Sequence, residues 1–121
     1  MKTIASVLTL VIGGFALPGT ALAAHYPDGC SVEPKNCRIL KENARFRVID
    51  YTAKAGDKIA MHSHPDHVVY VLQGGRTKFT SENGKVTELD AKAGDVFINP
   101  PTVHASEHVE DIHVIIVEAR Q

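Results

Sequence analysis

From Arg45 to the C-terminus the chain alternates short apolar, β-branched runs with glycine, proline, asparagine and aspartate. Period-2 runs bounded by such turn residues predict strands. They fall at 46–52, 58–62, 68–72, 77–81, 85–89, 96–99, 103–109 and 112–118. Asn83-Gly84, between the fourth and fifth runs, is a hairpin signal because both residues tolerate positive φ. No stretch of this region holds a 3.6-residue period over the roughly ten residues that a helix needs. About eight short strands at this spacing argue for an all-β sandwich or barrel. One internal echo stands out: Lys54-Ala55-Gly56-Asp57 recurs as Lys92-Ala93-Gly94-Asp95, each opening a strand that runs to a histidine-bearing turn. Two similar halves suit a jelly roll.

The N-terminal pattern is of another kind. Lys2 precedes an apolar run over 4–17, Pro18-Gly19 breaks it, and Ala21-Leu22-Ala23 gives a small-x-small cleavage signal. This predicts a bacterial signal peptide over 1–23, cut after Ala23 or, as the alternative, Ala24. An uncleaved anchor is the competing reading, but the run is short of the roughly 20 apolar residues that a spanning helix needs. The protein is therefore expected in the periplasm or outside the cell, with no membrane contact after cleavage. Residues 24–44, rich in Pro, Gly, Asp and Asn, read as an irregular arm, and 45–121 as one β-barrel domain. Export also changes the reading of Cys30 and Cys37, the chain's 2 cysteines. In an oxidising compartment they are expected to pair. So short a loop is worth about 2.5 kcal/mol in the chain-entropy model.

Composition then removes one class of partner. With 13 Lys+Arg against 14 Asp+Glu, mixed along the chain, there is no basic patch for nucleic acid. The unusual count is 7 histidines. His62 and His64 are two apart, so on a strand they share a face. His67 follows the Pro65-Asp66 turn, and His104 follows Pro100-Pro101. Imidazole suits zinc, copper, iron and nickel. The bland reading is a set of surface histidines on loops.

These residues resemble the cupin family. Its first motif runs Gly, five residues, His-x-His, three or four residues, Glu, six residues, Gly; Gly56, His62 and His64 match it. Its second runs Gly, five residues, Pro-x-Gly, two residues, His, three residues, Asn; Gly94 and Pro100 match, and His104 sits one residue early. The resemblance covers residues 56–108 and implies a cupin jelly-roll β-barrel with a metal in its mouth, held by two histidines and a glutamate of the first motif and the histidine of the second. The chain departs where the glutamate should stand. Counting forward reaches Val68 or Val69, which cannot ligate; counting back from Gly74 reaches His67. His67 is therefore read as the replacement ligand, the alternative being a turn histidine beside a three-histidine site. His108 stands where the family has Asn.

The expected site is a divalent transition metal (Fe, Mn, Zn, Ni or Cu) on His62, His64, His67 and His104. Four neutral ligands leave such an ion its full charge, which favours a small anionic guest. His108, His113 and His25 are minor candidates. Tyr51, Tyr70 and Glu107 are conceivable acids or bases, but each also fits a packing or surface role. A homodimer is expected from the resemblance and from apolar strand surface left open by a small barrel. Three functions remain open: a metal-dependent dioxygenase, isomerase or lyase; a non-catalytic metal or small-ligand binder; and a barrel that holds no metal.

Overall fold

The structure is a computed structural model and describes residues 26–120. The expected signal peptide, its cleavage site and His25 lie outside the described residues. The chain enters through a one-turn helix α1 (Gly29–Val32), a 3-10 turn (Pro34–Asn36) and strands β1 (Cys37–Glu42) and β2 (Phe46–Ala53). It continues through β3 (Lys58–His64), β4 (His67–Gln73), β5 (Gly75–Ser81), β6 (Val86–Ala91), β7 (Val96–Asn99), β8 (Thr102–His108) and β9 (Ile112–Ala119). These form two antiparallel sheets, ordered β1-β2-β9-β4-β7 and β3-β8-β5-β6. The eight predicted runs correspond to β2 through β9.

The arm read as irregular is different. It carries α1 and an edge strand, β1. The Asp28 carboxylate caps α1 by accepting from the Cys30 and Ser31 N–H groups, both at 3.1 Å. β1 escaped the pattern reading because a register shift between Ile39 and Lys41 breaks its alternation and most of its side chains are exposed. It is a strand because β2 pairs with it, and Arg38 reaches across to Asp50 at 2.7 Å. Cys30 and Cys37 form the expected disulfide, tying α1 to the start of β1.

The Lys-Ala-Gly-Asp echo is one turn used twice. In each copy the Asp N–H donates to the Lys carbonyl (2.9 and 3.0 Å), and the Asp carboxylate accepts from the Lys N–H (2.9 and 2.8 Å). Gly56 and Gly94 have φ of 92° and 89°, a left-handed backbone that side-chain-bearing residues rarely adopt. Each turn then clamps a distant strand: Gly56 and Asp57 bond the backbone of His108, while Gly94 and Asp95 bond that of Val71. The Asn83-Gly84 hairpin exists but is wider than a two-residue loop. Gly84 alone has positive φ, and its N–H returns to the Ser81 carbonyl.

Inward-facing residues of both sheets make the core, centred on Ile49, Val71, Ala91, Val114 and Ile116. They do not fill the interior. A cavity of about 500 Å³ lies between the sheets, with these residues in its wall. On the outer surface Tyr70, Leu72, Val96 and Ile98 are exposed.

Gly74 joins β4 to β5 where two backbones nearly touch: a Cβ there would stand 2.2 Å from the Ala91 carbonyl oxygen. Backbone cannot swing aside as a side chain can. Gly74→Ala is therefore expected to lower stability by about 1–3 kcal/mol, the usual cost of overpacking. Gly56→Ala meets open space and carries only its φ strain. Denaturant unfolding of the two variants checks the ranking.

Candidate metal centre

His62 and His64 reach the cavity through an irregularity in β3. Between the pairs Ile59↔Ser106 and His62↔His104 the register slips, so β3 spends three steps where β8 spends two. A bulge of this kind re-aims the side chains that follow it. Strict alternation from buried Ile59 would turn His62 outward; the bulge returns His62 and His64 to the inner face. The Ala60 carbonyl, inside the bulge, accepts the His62 Nδ1–H at 2.7 Å. His104 is the direct partner of His62 on β8.

The three rings converge. Centroids of His62 and His64 are 4.8 Å apart, His62 and His104 4.8 Å, His64 and His104 5.2 Å. One nitrogen from each lies within 4.8 Å of the other two. The His62 and His64 Nε2 atoms are 3.0 Å apart. Both Nδ1 atoms face acceptors, the Ala60 carbonyl and the Glu118 carboxylate, so both carry the proton and leave Nε2 with its lone pair when neutral. Two lone pairs at that distance repel unless a cation lies between them. With metal–nitrogen bonds of about 2.0–2.1 Å, such a spacing corresponds to an angle near 90° at a shared ion, within the range for two ligands of one metal. The donor set therefore fits a transition metal.

Burial pushes the His62, His67 and His104 pKa values down, and the neighbouring imidazoles add to it; for His104 the value falls to about 3. Neutral imidazole is the form that ligates. Phe79 lies against His104, ring centroids 4.8 Å apart.

Glu118 orients the site, and the sequence reading passed over it. It is 3% exposed. Its Oε1 accepts from His64 Nδ1 at 2.8 Å and its Oε2 from Arg47 Nη2 at 2.7 Å. Burial raises its pKa, but the bonds from His64 and Arg47 outweigh that and hold the carboxyl below its ordinary value. This is the carboxylate–histidine pairing that fixes ring tautomer and angle behind a metal. The signal was parity: Val114, Ile116 and Glu118 are the buried positions of β9.

His67 opens β4 and is buried; its ring is 4.7 Å from that of His64. Its Nδ1–H donates to the Pro65 carbonyl at 2.8 Å, and its Nε2 accepts from the Asn99 amide at 3.2 Å. It stands beside the cluster of three, with its lone pair bonded to Asn99. His108 lines the cavity farther along β8. His113 is half-buried, 2.5 Å from Asp50. Tyr70 is exposed; Tyr51 lines the cavity. α1 covers the site from one side: a Cβ on Gly29 would come within 3.0 Å of the His62 ring.

No family sequence profile matches the chain, and no curated protein aligns with it significantly. Solved structures do. A cupin domain from Bordetella pertussis matches 70% of this chain and 92% of its own, with TM-score 0.62 and 17% identity. A conserved protein with a double-stranded β-helix domain from Klebsiella pneumoniae is 31% identical, matching 69% of this chain and 74% of its own, with TM-score 0.56. The chain belongs to the cupin superfamily. KdgF from Halomonas sp. is also similar, at 25% identity and TM-score 0.53 over 70% of this chain. Within this cupin His62, His64 and His104 line the barrel cavity together.

Glu118→Gln keeps the shape but removes the charge that holds His64. It is expected to weaken metal affinity about 10- to 100-fold, the usual cost of losing such a partner. Competition with a chelator of known affinity measures it; an unchanged constant would show that Glu118 serves the fold alone.

Proposed function

We propose that this cupin binds one divalent transition metal through His62, His64 and His104, with His67 as a fourth donor once Asn99 yields its lone pair. It uses the site to hold a small anionic molecule, as an enzyme of the dioxygenase or isomerase/lyase type. The observation that carries this reading is the convergence of three imidazoles at a 500 Å³ cavity. An all-imidazole set suits Fe, Zn, Ni or Cu and is a poor home for Mg or Ca. When bound, such an ion supplies a Lewis-acidic centre with open coordination positions.

The chain's own residues set the rest. Glu118 is the carboxylate nearest the triad, and Arg47 pairs with it, so its charge is largely spent before it reaches the site. The centre therefore keeps net positive charge, which supports an anionic guest. The apolar wall keeps water sparse and strengthens that attraction. The Cys30–Cys37 disulfide supports export. Among the described residues no helix is long and apolar enough to cross a membrane.

A second reading, a non-catalytic metal or small-ligand binder, is favoured by one observation. The buried carboxylate of the cavity wall, Glu118, is already engaged with His64 and Arg47. That leaves no free buried carboxylate there, among the described residues, to act as a base.

The test loads the protein with Co(II) and follows its visible spectrum. Acetate is expected to shift the bands saturably, and ethylammonium to leave them alone. His67→Glu, which adds a negative charge beside the ion, is expected to weaken acetate binding several-fold. No response to acetate would overturn the anion reading. Turnover of small acids and diketones by the metal-loaded protein would select the enzyme; binding without turnover would select the carrier.

A further inference from the structure

The far part of the cavity holds a second polar group that metal binding does not use. His108 is 4% exposed and lies between two hydroxyls. Its Nε2 is 2.8 Å from the Tyr51 hydroxyl, and its Nδ1 is 3.0 Å from Thr77 Oγ1. All three residues line the same cavity as the triad. Burial lowers the His108 pKa and raises that of Tyr51, so both stay uncharged near neutral pH.

Counting protons shows what the trio lacks. A phenol, a neutral imidazole and an alcohol carry one transferable proton each. Two hydrogen bonds join them, so two protons are used and one is left. If Thr77 donates to Nδ1, the Nε2–H donates to Tyr51 and the Tyr51 O–H is spare. If Tyr51 donates to Nε2, the Nδ1–H donates to Thr77 and the Thr77 O–H is spare. Either tautomer leaves one hydroxyl donor in the cavity wall and no charge. A donor in so apolar a setting calls for an acceptor.

The distance to the triad fixes the shape of what could use it. His104 and His108 are four residues apart on β8, both on its inner face, so their backbones are separated by roughly 13 Å. Ile49, Val71 and Val114 wall the space with hydrocarbon. The cavity thus has a cationic pole when metal is bound, an apolar middle and a neutral hydrogen-bonding pole.

We propose that Tyr51, His108 and Thr77 form a specificity-determining subsite for the distal oxygen of the metal-held anion, and that the ligand is a short-chain oxo- or hydroxycarboxylate. This rests on the metal-bound anion proposed above. The carboxylate faces the ion, the chain lies along the apolar wall, and a carbonyl or hydroxyl oxygen accepts the spare proton of the trio. Because the trio can pass its spare donor among Tyr51, His108 and Thr77, removing one or both hydroxyls only relocates it, in the end to the imidazole N–H; all three groups must go to remove it.

The test compares hexanoate with 5-oxohexanoate on the Co(II)-loaded protein by calorimetry, with Co(II) content measured in each sample. The wild type is expected to bind the oxo acid about three- to tenfold more tightly, one hydrogen bond's worth. In Tyr51→Phe/Thr77→Val/His108→Leu that ratio is expected to fall to one or below, with hexanoate affinity retained as the control for folding and metal. Equal affinities in the wild type, or a preference that survives the triple variant, would overturn the subsite while leaving the metal-bound anion intact. Failure of both acids to bind would instead overturn the anion reading beneath it. If the triple variant does not fold, the 4-, 5- and 6-oxoheptanoates on the wild type decide: a fixed subsite selects one position, and a flat series overturns it.

Discussion

The Nε2 atoms of His62 and His64 lie 3.0 Å apart because separate constraints bring them there. The bulge in β3 aims both rings inward, the Ala60 carbonyl turns one, and Glu118 turns the other. Each is satisfied at Nδ1, so neither ring gains by rotating away. The cost of two facing lone pairs falls on Nε2, where a cation removes it. His104 then arrives through strand pairing, because β8 places it opposite His62. Much of the surrounding architecture keeps this arrangement in register: the Gly56-Asp57 turn clamps the far end of β8, and β9 carries Glu118 between β2 and β4.

Charge follows from the same contacts. A carboxylate directly on the ion would cancel part of its charge. Here the nearest carboxylate is one bond removed and already shared with Arg47, which also reaches Asp28 at 3.4 Å. The arrangement uses the negative charge to position the His64 ring, and a cation bound at the cluster would keep most of its own charge. Asp28 in turn caps α1, whose Gly29 packs against His62. The segment closed by the disulfide therefore meets the histidine cluster through its helix cap and its glycine.

The fold was legible because strand alternation and turn chemistry agreed over most of the chain. The doubled Lys-Ala-Gly-Asp motif marks one turn that the fold uses twice. The site histidines were legible from spacing, since residues two apart on a strand share a face. What spacing hid was local irregularity. A bulge changes parity without any strong residue signature, so simple alternation cannot follow β3 from Ile59 to His62. β1 was hidden for a related reason: its register shift breaks the alternation, and pairing with β2 makes it a strand. Glu118 lies 54 residues from the histidine it orients, and only the register of β9 brings them together. The trio of Tyr51, Thr77 and His108 likewise draws on three strands.

Metal content measured beside a matched variant tests the central claim most directly. The protein is purified without added metal, next to His62→Ala/His64→Ala, and both are assayed for transition elements per chain. Close to one ion per wild-type chain, lost from the variant, is the expected result. No bound transition metal in the wild type, or equal metal in a folded variant, would contradict the account.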